Sequence, residues 1–506
     1  MQHKQSETMP RKPSPDVSRR SFLAASAALL ARPALGATPA SGGLDVVIIG
    51  AGSAGIAAAR KIAAAGGRYV LIEATDHIGG RCFTDLKSFG VPYDRGAHWI
   101  YLPDVNPLTK LAPRRGLDIY PAPRSQKVRI GRRNAREGEL EDFLTAQVRT
   151  TRAIAETARK ADLPSAQAVP ADLGDWRSTV EFVLGPYICA KDLAQVSSFD
   201  FARASERSAA AFCKQGFGAL LATLAQGLTI QLSTPAKSID TRRTLTVETA
   251  KGTITARAAI VTVPTNVVAS GGLRFTPELG HHEIDAFGRL SMGSYDHIAL
   301  ELAGNPLGIE SDDLIFEKSA NTHTAAILAN VSGTPLAVVD VGGAFGRDLS
   351  AQGEAAMVDF ASEWLSGLYG AEIKKAINRT HATRWNSEPF ARGAWSAAVP
   401  GSQFARRQFL EPISDQVWYA GEAAHETLWG TVGGAWESGE RAADAVIRRF
   451  GLKPQAQAAV PPPSEPAPKS KSKPKRSRAE GRESPEPRDT GTSKYWGSPS
   501  IMREEK

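Results

Sequence analysis

Residues 44–73 read LDVVIIGAGSAGIAAARKIAAAGGRYVLIE and decide the fold. The continuous apolar run at 46–49 is typical of a strand buried on both faces, and an alanine-rich helical stretch and a second apolar run follow it. Gly50, Gly52 and Gly55 form the pattern G-x-G-x-x-G between the first strand and the helix. This order of strand, glycine turn, helix and strand predicts a dinucleotide-binding βαβ unit.

Each glycine of this pattern has its own physical task. Gly50 allows the tight turn, Gly52 lets the backbone approach a pyrophosphate, and Gly55 lets helix and strand pack closely. The free N–H groups of the helix N-terminus attract phosphates, and Glu73 can accept hydrogen bonds from ribose hydroxyls. The unit alone is compatible with either NAD or FAD. Further contacts are expected from the flanking residues Ser53, Ala54 and Ala74.

The charge of the chain is concentrated at its two ends. Of 61 Lys+Arg and 53 Asp+Glu, residues 1–40 hold 6 and 2, residues 452–506 hold 12 and 7, and the remainder holds 43 and 44. The central part is therefore nearly neutral, and we expect no nucleic acid to bind it.

The 506 residues suffice for two folded domains. The three cysteines lack metal-ligand spacing, so no metal site is predicted.

The N-terminus resembles a twin-arginine (Tat) export signal. Arg19 and Arg20 precede an apolar stretch at 22–30, and the small residues up to Gly36 suit a signal peptidase. We expect cleavage after Gly36, export of the folded protein by the Tat machinery, and a location in the periplasm of a bacterium.

Residues 452–506 are rich in proline and lysine and cannot bury enough apolar area to fold, which predicts a disordered tail.

A second glycine motif, Gly79-Gly80-Arg81, follows Glu73 closely. With it the sequence resembles the flavin-containing amine oxidase family, in particular its monoamine and polyamine oxidase-like members, which carry Gly-Gly-Arg just after the βαβ unit. The resemblance extends in ordered blocks over residues 44–451. It implies FAD as the cofactor, with Gly80 and Arg81 near its flavin-side phosphate and ring, and it disfavours an NAD-dependent dehydrogenase.

Further blocks of this resemblance imply cofactor contacts along the whole chain. The loop at 96–99 is similar to the segment that passes near the flavin ring. Thr431 and Val432 begin a helix whose N-terminus faces the flavin pyrimidine in the family, where its dipole would stabilise the negative charge of the reduced flavin. The contacts implied by these blocks are Gly96, Ala97, His98, Trp99, Ala236, Val263, Trp385, Gly421, Glu422, Thr431, Val432 and Ala435.

Two departures from the family bear on the chemistry. Ala394 occupies the position at which some members attach the flavin to a cysteine, so we predict non-covalent FAD. His297 falls where many members place a lysine that holds a water next to flavin N5. Histidine could hold that water too, and its proton can be lost near neutral pH, which would make flavin reoxidation pH-dependent.

Two aromatic side chains wall the substrate side of the flavin in many members of the family. Trp395 fits one wall, but Thr431 occupies the position of the other. Trp429, two residues earlier, is the candidate that compensates. Cation–π attraction alone does not choose among amines. Together with His297, these two tryptophans are the predicted catalytic residues.

The resemblance implies oxidation of a C–N bond. A hydride would pass from the α-carbon of a small-molecule amine to flavin N5, the imine would leave, and oxygen or a redox protein would reoxidise the flavin. An L-amino acid oxidase, a carotenoid or porphyrinogen desaturase, and a flavin-binding interaction protein without amine turnover stay open as alternatives. An L-amino acid oxidase needs a cation that binds the substrate carboxylate. The arginines considered for that role, none of which matches a motif, are Arg384, Arg392, Arg406 and Arg407.

The predicted architecture is α/β with discontinuous domains. An FAD-binding Rossmann-like domain is assembled from residues 44–105, 208–290 and 378–451. A substrate-binding domain with a mixed or antiparallel sheet flanked by helices takes residues 106–207 and 291–377. The remaining segments are the signal peptide at 1–36 and the tail at 452–506.

Overall fold

Two large sheets carry the fold, and the chain passes between them several times. The computed structural model describes residues 43–453 apart from 206, 208 and 403. The described residues from Leu44 onward pack as one compact unit. The predicted signal peptide at 1–36 and all but the first two residues of the predicted tail lie outside the described residues.

Twenty short to medium strands are present in the described part of the chain. In chain order they are β1 (Leu44–Ile49), β2 (Tyr69–Ile72), β3 (Thr84–Asp85), β4 (Tyr93–Asp94), β5 (Ile100–Tyr101), β6 (Ile119–Pro121), β7 (Ser125–Ile130), β8 (Arg133–Asn134), β9 (Ala210–Cys213), β10 (Ile230–Gln231), β11 (Ala236–Asp240), β12 (Thr246–Thr249), β13 (Gly252–Val261), β14 (Arg274–Thr276), β15 (Tyr295–Leu302), β16 (Asp313–Glu317), β17 (Ala326–Ala329), β18 (Leu336–Gly342), β19 (Ile377–Ala382) and β20 (Val417–Tyr419).

The α-helices lie on the faces and edges of the two sheets. In chain order they are α1 (Ser53–Ala64), α2 (Pro107–Leu111), α3 (Glu137–Lys160), α4 (Arg177–Phe182), α5 (Ser198–Arg203), α6 (Phe217–Leu224), α7 (Thr265–Ala269), α8 (His281–Arg289), α9 (Gly343–Ala351), α10 (Glu354–Tyr369) and α11 (Val432–Phe450). Among the described residues, no helix is long and apolar enough to cross a membrane.

The first sheet has eight strands in the order β10-β2-β1-β13-β12-β11-β14, with β20 paired to the second half of β13. Strand β1 lies between β2 and β13 and is parallel to both. Its residues from Val46 to Ile49 are almost fully buried, because sheet neighbours and helices cover both faces. The carboxyl ends of β1, β2 and β13 therefore meet at one edge, where the chain order reverses and ligands bind in open α/β sheets.

The second sheet has seven strands in the order β19-β15-β18-β17-β16-β7-β8. All its pairs are antiparallel except β16 with β7. Helix α10 packs on this sheet through Met357 and Leu365, which belong to its hydrophobic core. The predicted α/β architecture with a second, mixed sheet is thus confirmed.

The predicted boundary at residue 378 differs from the sheet topology. Strand β19 (Ile377–Ala382) pairs antiparallel with β15 and belongs to the second sheet, not the first. The chain therefore returns toward the first sheet only after Ala382. The rest of the domain division stays a prediction.

The cysteines are reduced and inaccessible in this structure. Cys82, Cys189 and Cys213 are all buried and unpaired. Burial raises the pKa of Cys189 to about 12, which keeps its thiol protonated and inert. Within the described ranges, no cluster of three or more His, Cys, Asp or Glu side chains is arranged to hold a metal ion.

Candidate functional site

The turn between β1 and α1 is built from glycines with two different roles. Gly50 has a φ of +105°, which L side chains rarely adopt, and Gly55 packs so closely that a Cβ there would overlap the carbonyl oxygen of Gly50. Gly52 differs from them, because the nearest atom to a Cβ at this position would be the Gly79 oxygen at 3.9 Å. Gly52 is also the N-cap of α1, with no side chain bonded to the first-turn N–H groups. The turn thus offers open backbone donors to an anion.

The Gly79-Gly80-Arg81 segment lies directly beside this turn. Gly52 and Gly79 form a parallel bridge, and the Gly79 N–H donates to the Ala51 carbonyl at 2.9 Å. A Cβ on Gly80 would again meet nothing closer than 3.8 Å. We call this surface, formed by Gly52, Gly79 and Gly80, the glycine cradle.

Glu73 fixes the turn from the end of β2. Its buried carboxylate accepts a hydrogen bond from the Ala51 N–H at 2.7 Å and another from the Thr75 N–H at 2.9 Å. The Thr75 hydroxyl also donates to it at 3.0 Å. A carboxylate has about four lone-pair sites, so a ribose hydroxyl can still be accepted. Sequence reasoning assigned the ribose role alone and missed that Glu73 also orders the cradle. Ala74, the next residue, is half-buried.

The N-termini of α1 and α11 converge at the same place. The Ser53 hydroxyl donates to the Val432 carbonyl at 2.9 Å, and Gly439 packs so tightly on α1 that a Cβ would overlap the Ala54 carbonyl oxygen. Thr431 caps α11, because its hydroxyl accepts from the Gly434 N–H at 2.9 Å. Two positive helix ends therefore face one region, which suits a cofactor that carries phosphates.

Arg81 and Glu422 tie the cradle to the C-terminal block. The Arg81 guanidinium donates to Glu422 at 3.0 Å and to the Ala394 carbonyl at 2.6 Å. Glu422 also accepts from the Ser396 hydroxyl at 2.7 Å and the Gly430 N–H at 2.9 Å. This buried carboxylate thus orders the loops on both sides of it. Gly421 and Ala435 lie on the same block, next to Ser438, whose hydroxyl accepts from the Gly421 N–H.

The loop at 96–99 splits between two environments. Gly96 packs on Arg81 and Trp385, and the Ala97 N–H donates to the Arg81 carbonyl at 2.9 Å. His98 is buried and bonded to the Asp94 carboxylate at 2.7 Å. Trp99 instead stacks near Tyr101, with ring centroids 6.2 Å apart, and packs against a core that includes Ala299 of the second sheet.

Three other predicted cofactor contacts lie around the first sheet. The Val263 carbonyl, just after β13, accepts from the Tyr419 hydroxyl at 2.8 Å. Ala236 begins β11, pairs with Thr249, and follows Thr234, whose N–H donates to the Glu73 carbonyl just after β2. The Trp385 indole N–H donates to the Arg95 carbonyl at 3.1 Å, which holds its ring beside Gly96.

His297 uses both of its ring nitrogens within the protein. Nδ1 lies 2.6 Å from the Asp340 carboxylate on the neighbouring strand, and Nε2 lies 2.8 Å from the Gly96 carbonyl. The Gly96 carbonyl and an ionised Asp340 are both acceptors, so an imidazolium ring satisfies both contacts. Burial alone would lower the pKa of His297, but Asp340 and the Gly96 carbonyl outweigh it and leave the pKa raised.

This geometry corrects the expectation that His297 is free to hold a water and loses its proton near neutral pH. The raised pKa moves proton loss to higher pH, and both nitrogens are already engaged. His297 therefore acts through Gly96 as a positioning residue that joins the second sheet to the cradle.

The charge of this pair makes stability pH-dependent. Because folding raises the pKa of His297, its contribution is fully present below the ordinary histidine pKa of about 6.5 and is lost as pH rises through the raised value. We expect the stability advantage of the wild type over the neutral double variant His297→Gln/Asp340→Asn to shrink as pH rises above neutral. Unfolding midpoints of both proteins across a pH series measure it. A gap that stays constant or widens would contradict the assignment.

Tyrosines and Trp395 form an aromatic cluster beside His297. Tyr295 lies two residues before His297 on β15 and points to the same face, and its ring centroid is 4.9 Å from that of Trp395. Tyr187 lies 6.0 Å from Tyr295 and ends a π-helical segment, Val183–Tyr187, that contains Pro186. Such π segments are frequent at functional sites. We call Tyr187, Tyr295 and Trp395 the aromatic cluster.

Trp429 does not form the second aromatic wall that was predicted. Only 1% of its surface is exposed, and it packs with Cys189, Val196 and Ala397 in a small core. The guanidiniums of Arg207 and Arg406 lie 4.8 and 4.9 Å from its ring centroid, so cations of the protein already contact it. The aromatic partner of Trp395 is Tyr295 instead.

The four arginines considered for a substrate carboxylate are engaged elsewhere or exposed. Arg406 forms a buried ion pair with Asp200 at 2.6 Å. Arg407 pairs with Glu426 at 2.9 Å, the Arg384 Nε donates to a backbone carbonyl, and Arg392 lies at the surface.

Comparisons with known proteins identify the family of the chain. A family model described as flavin-containing amine oxidoreductase matches residues 53–210 and 172–447. Polyamine oxidase 2 from Arabidopsis thaliana is 27% identical over 448 residues, which span 80% of this chain and 89% of that protein. Two solved structures show the same fold. Cyclohexylamine oxidase from Brevibacterium oxydans IH-35A superimposes with a TM-score of 0.68 at 19% identity, and the match covers 81% of this chain and 100% of that one. A cofactor-binding redesign of putrescine oxidase gives a TM-score of 0.69 at 18% identity, and the match covers 80% of this chain and 99% of that one. The chain therefore belongs to the family of flavin-containing amine oxidoreductases.

Proposed function

We propose that this chain is an amine oxidase that binds FAD non-covalently and removes a hydride from the α-carbon of a small amine. The observation that carries the proposal is the hydrogen bond from His297 to the Gly96 carbonyl. It joins the strand that bears Tyr295 to the loop that packs on Arg81, and so it sets the aromatic cluster beside the glycine cradle. Amine chemistry at a flavin needs this adjacency.

The residues present fit FAD. The glycine cradle leaves room for a pyrophosphate where Gly52 and Gly80 lack side chains. The Glu73 carboxylate can receive ribose hydroxyls, and the capped start of α11 at Thr431 would face the flavin with its positive end. When bound, FAD supplies the two-electron acceptor for the reaction.

The protein's part is orientation and exclusion of water. Trp395 and Tyr295 offer aromatic faces to an amine. The charged His297–Asp340 pair, itself nearly inaccessible to solvent, holds the strand in register. No side chain needs to act as a nucleophile. The imine product would hydrolyse to a carbonyl compound and an amine.

The decisive experiment is anaerobic mixing of the purified holoprotein with a panel of amines. We expect at least one amine to bleach the flavin absorption band, because hydride transfer reduces the flavin. A flavin that stays oxidised with every amine would favour the alternative of a flavin-binding interaction protein. Readmission of oxygen, or of a redox protein, then identifies the electron acceptor.

Non-covalent attachment is tested by acid precipitation. Ala394 has no sulfur with which to form a thioether, and its carbonyl accepts from Arg81 instead. We expect all the yellow colour to pass into the supernatant. Colour in the washed pellet would overturn the prediction.

The twin-arginine motif at Arg19 and Arg20 supports a proposal about location. We propose Tat export of the folded, flavin-loaded protein to the periplasm. A variant with both arginines replaced by lysine should remain in the cytoplasm, as measured by fractionation of the producing cells.

A further inference from the structure

Basic side chains line up at the amino ends of the central strands of the first sheet. The register of β1 with β13 and with β2 places Asp45 level with Arg257 on one side and with Arg68 on the other. The Asp45 carboxylate accepts from Arg68 Nε at 3.4 Å and from a terminal nitrogen of Arg257 at 3.1 Å. One carboxylate is thus shared by two arginines, whose side chains are 51% and 50% exposed.

The C-terminal end of α11 adds positive charge beside these two arginines. Arg448 and Arg449 belong to its last turn, and both are exposed. The half-buried ring of Phe450 connects the helix end to the sheet, because the guanidinium carbon of Arg257 lies 4.6 Å from its centroid and that of Arg449 lies 6.0 Å from it. The arginines of the sheet and of the helix therefore share one surface.

The described part of the chain ends on the same surface. Leu452 packs back on the residue before Arg68, since a Cβ on Gly67 would lie 3.0 Å from the Leu452 Cδ1. Lys453 and Arg68 each directly follow a residue of this contact, and both are exposed. We call the surface that these basic residues form the amino-end face; its members are Arg68, Arg257, Arg448, Arg449 and Lys453.

The amino-end face is basic on a body that is otherwise nearly neutral. Its five basic side chains and the carboxylate of Asp45 leave a surplus of four positive charges, whereas residues 41–451 as a whole hold 43 Lys+Arg against 44 Asp+Glu. The dipole of α11 favours basic residues in its last turn, but it does not account for Arg68 and Arg257, which belong to the sheet. Charge segregated in this way attracts a partner of opposite sign.

The sequence that continues from Lys453 increases this positive charge. Residues 469–478 read KSKSKPKRSR, which is six Lys/Arg without a single Asp or Glu. The segment also contains no aromatic residue, whereas proteins that bind single-stranded nucleic acid stack aromatic side chains on the bases. A run of lysine and arginine without aromatics suits a surface of repeated negative charge, as anionic lipid headgroups provide.

We propose that the amino-end face, together with the basic segment at 469–478, binds a membrane surface through the phosphates of anionic lipids. This inference goes beyond the amine oxidase function and does not depend on it; the choice of lipid over nucleic acid also draws on the proposed export to the periplasm. The face lies at the amino ends of β1, β2 and β13, whereas the glycine cradle lies at their carboxyl ends. A protein bound by this face keeps its flavin site directed away from the membrane.

Flotation of the purified holoprotein with lipid vesicles tests the proposal. One vesicle set is pure phosphatidylcholine, and the other contains phosphatidylcholine and phosphatidylglycerol in equal parts. We expect binding to the anionic vesicles to be about 10-fold or more tighter than to the neutral ones. It should be lost at about 1 M salt, where the Debye length falls to about 3 Å. Equal binding to both vesicle types would overturn the proposal.

A triple variant removes charge from the face without disturbing Asp45. Arg448→Gln/Arg449→Gln/Lys453→Gln keeps both arginines that contact the Asp45 carboxylate. Its affinity for the anionic vesicles should fall about 10-fold or more, because each basic residue near an anionic surface contributes to binding. Its flavin content should equal that of the wild type. Wild-type affinity in this variant would show that the face is not the binding site.

The matched control removes the same number of exposed charges elsewhere. Arg132→Gln/Arg159→Gln/Lys160→Gln changes three exposed residues, two of which lie in the last turn of α3 as the arginines do in α11. This control should bind the anionic vesicles like the wild type. If both triple variants lose affinity to the same extent, net charge alone is responsible and the proposal fails.

Two further variants keep the test decisive if the end of α11 is sensitive to substitution. Lys453→Glu lies beyond the helix and should weaken binding to the anionic vesicles about 3-fold or more. Replacement of all six Lys/Arg at 469–478 by Gln should weaken it as well. If Lys453→Glu binds like the wild type and the replaced segment accounts for all the affinity, the amino-end face takes no part and the proposal is wrong.

Nucleic acid is the last arm of the experiment, because it presents the same phosphodiester chemistry as the lipid. Labelled single-stranded and double-stranded DNA are titrated with the holoprotein at the salt concentration of the flotation. We expect weaker binding to both than to the anionic vesicles. Tighter binding to either DNA would overturn the assignment to lipid. Vesicle binding requires no turnover, so a protein that oxidises no amine would leave this result unaffected.

Discussion

Gly55→Ala is expected to yield a chain that no longer retains flavin. A Cβ at this position would overlap the Gly50 carbonyl oxygen and lie 3.3 Å from Leu71 Cδ1. Backbone cannot yield as a flexible side chain does, so α1 would have to move away from β1 and carry its N-terminus away from the phosphates. The measurement is the flavin-to-protein absorbance ratio after purification, which should fall to near zero, together with circular dichroism to show that secondary structure persists.

Gly288→Ala is the matched control for this change. Gly288 lies in α8, and a Cβ there would meet nothing within 4 Å. Alanine in a helix interior is favoured over glycine by about 0.5–1 kcal/mol, so this variant should keep its flavin and be slightly more stable. A yellow Gly55→Ala protein with the flavin content of the wild type would show that this close packing is not needed for cofactor binding.

Arg406→Met should be the most destabilising single change around the substrate side. Arg406 donates to both oxygens of Asp200, at 2.6 and 2.8 Å, and both side chains are buried. It also donates to Ser396 and to the Ala423 carbonyl. Its removal leaves Asp200 as an uncompensated buried charge, which costs about 3–5 kcal/mol. Thermal unfolding of the flavin-loaded protein measures the loss.

Two further variants separate this ion pair from general effects of losing an arginine. Arg407→Met breaks an exposed pair with Glu426 and should cost no more than about 1 kcal/mol. The double variant Asp200→Asn/Arg406→Met removes both charges and should be more stable than Arg406→Met alone. If the single and double variants unfold at the same temperature, the stranded charge is not the cause.

The parts of this site that local sequence patterns predicted are those built from backbone. The strand, glycine turn and helix of β1 and α1 follow from apolar runs and from glycines at fixed spacing, and these patterns need no knowledge of distant partners. Tyr295 was not predicted as a site residue. The sequence could have indicated it, because the alternation of side chains along β15 places Tyr295 on the same face as His297.

Other functional side chains could not be predicted, because their role depends on contacts between distant segments. Asp340 lies 43 residues from His297 and meets it only through the register of β15 with β18. Trp429 looked like a substrate contact, yet Arg406 and Asp200 enclose it in the core.

The packing of Gly439 against Ala54 has a consequence for biosynthesis. Helix α1 leaves the ribosome early, but the α11 surface that completes the flavin site is among the last folded segments to be translated. A nascent chain therefore cannot complete this site before α11 is made, since contacts so distant in sequence form only after the intervening chain is available. Completion of the flavin site must therefore follow synthesis of α11, which is a late step in the making of the folded part of the chain.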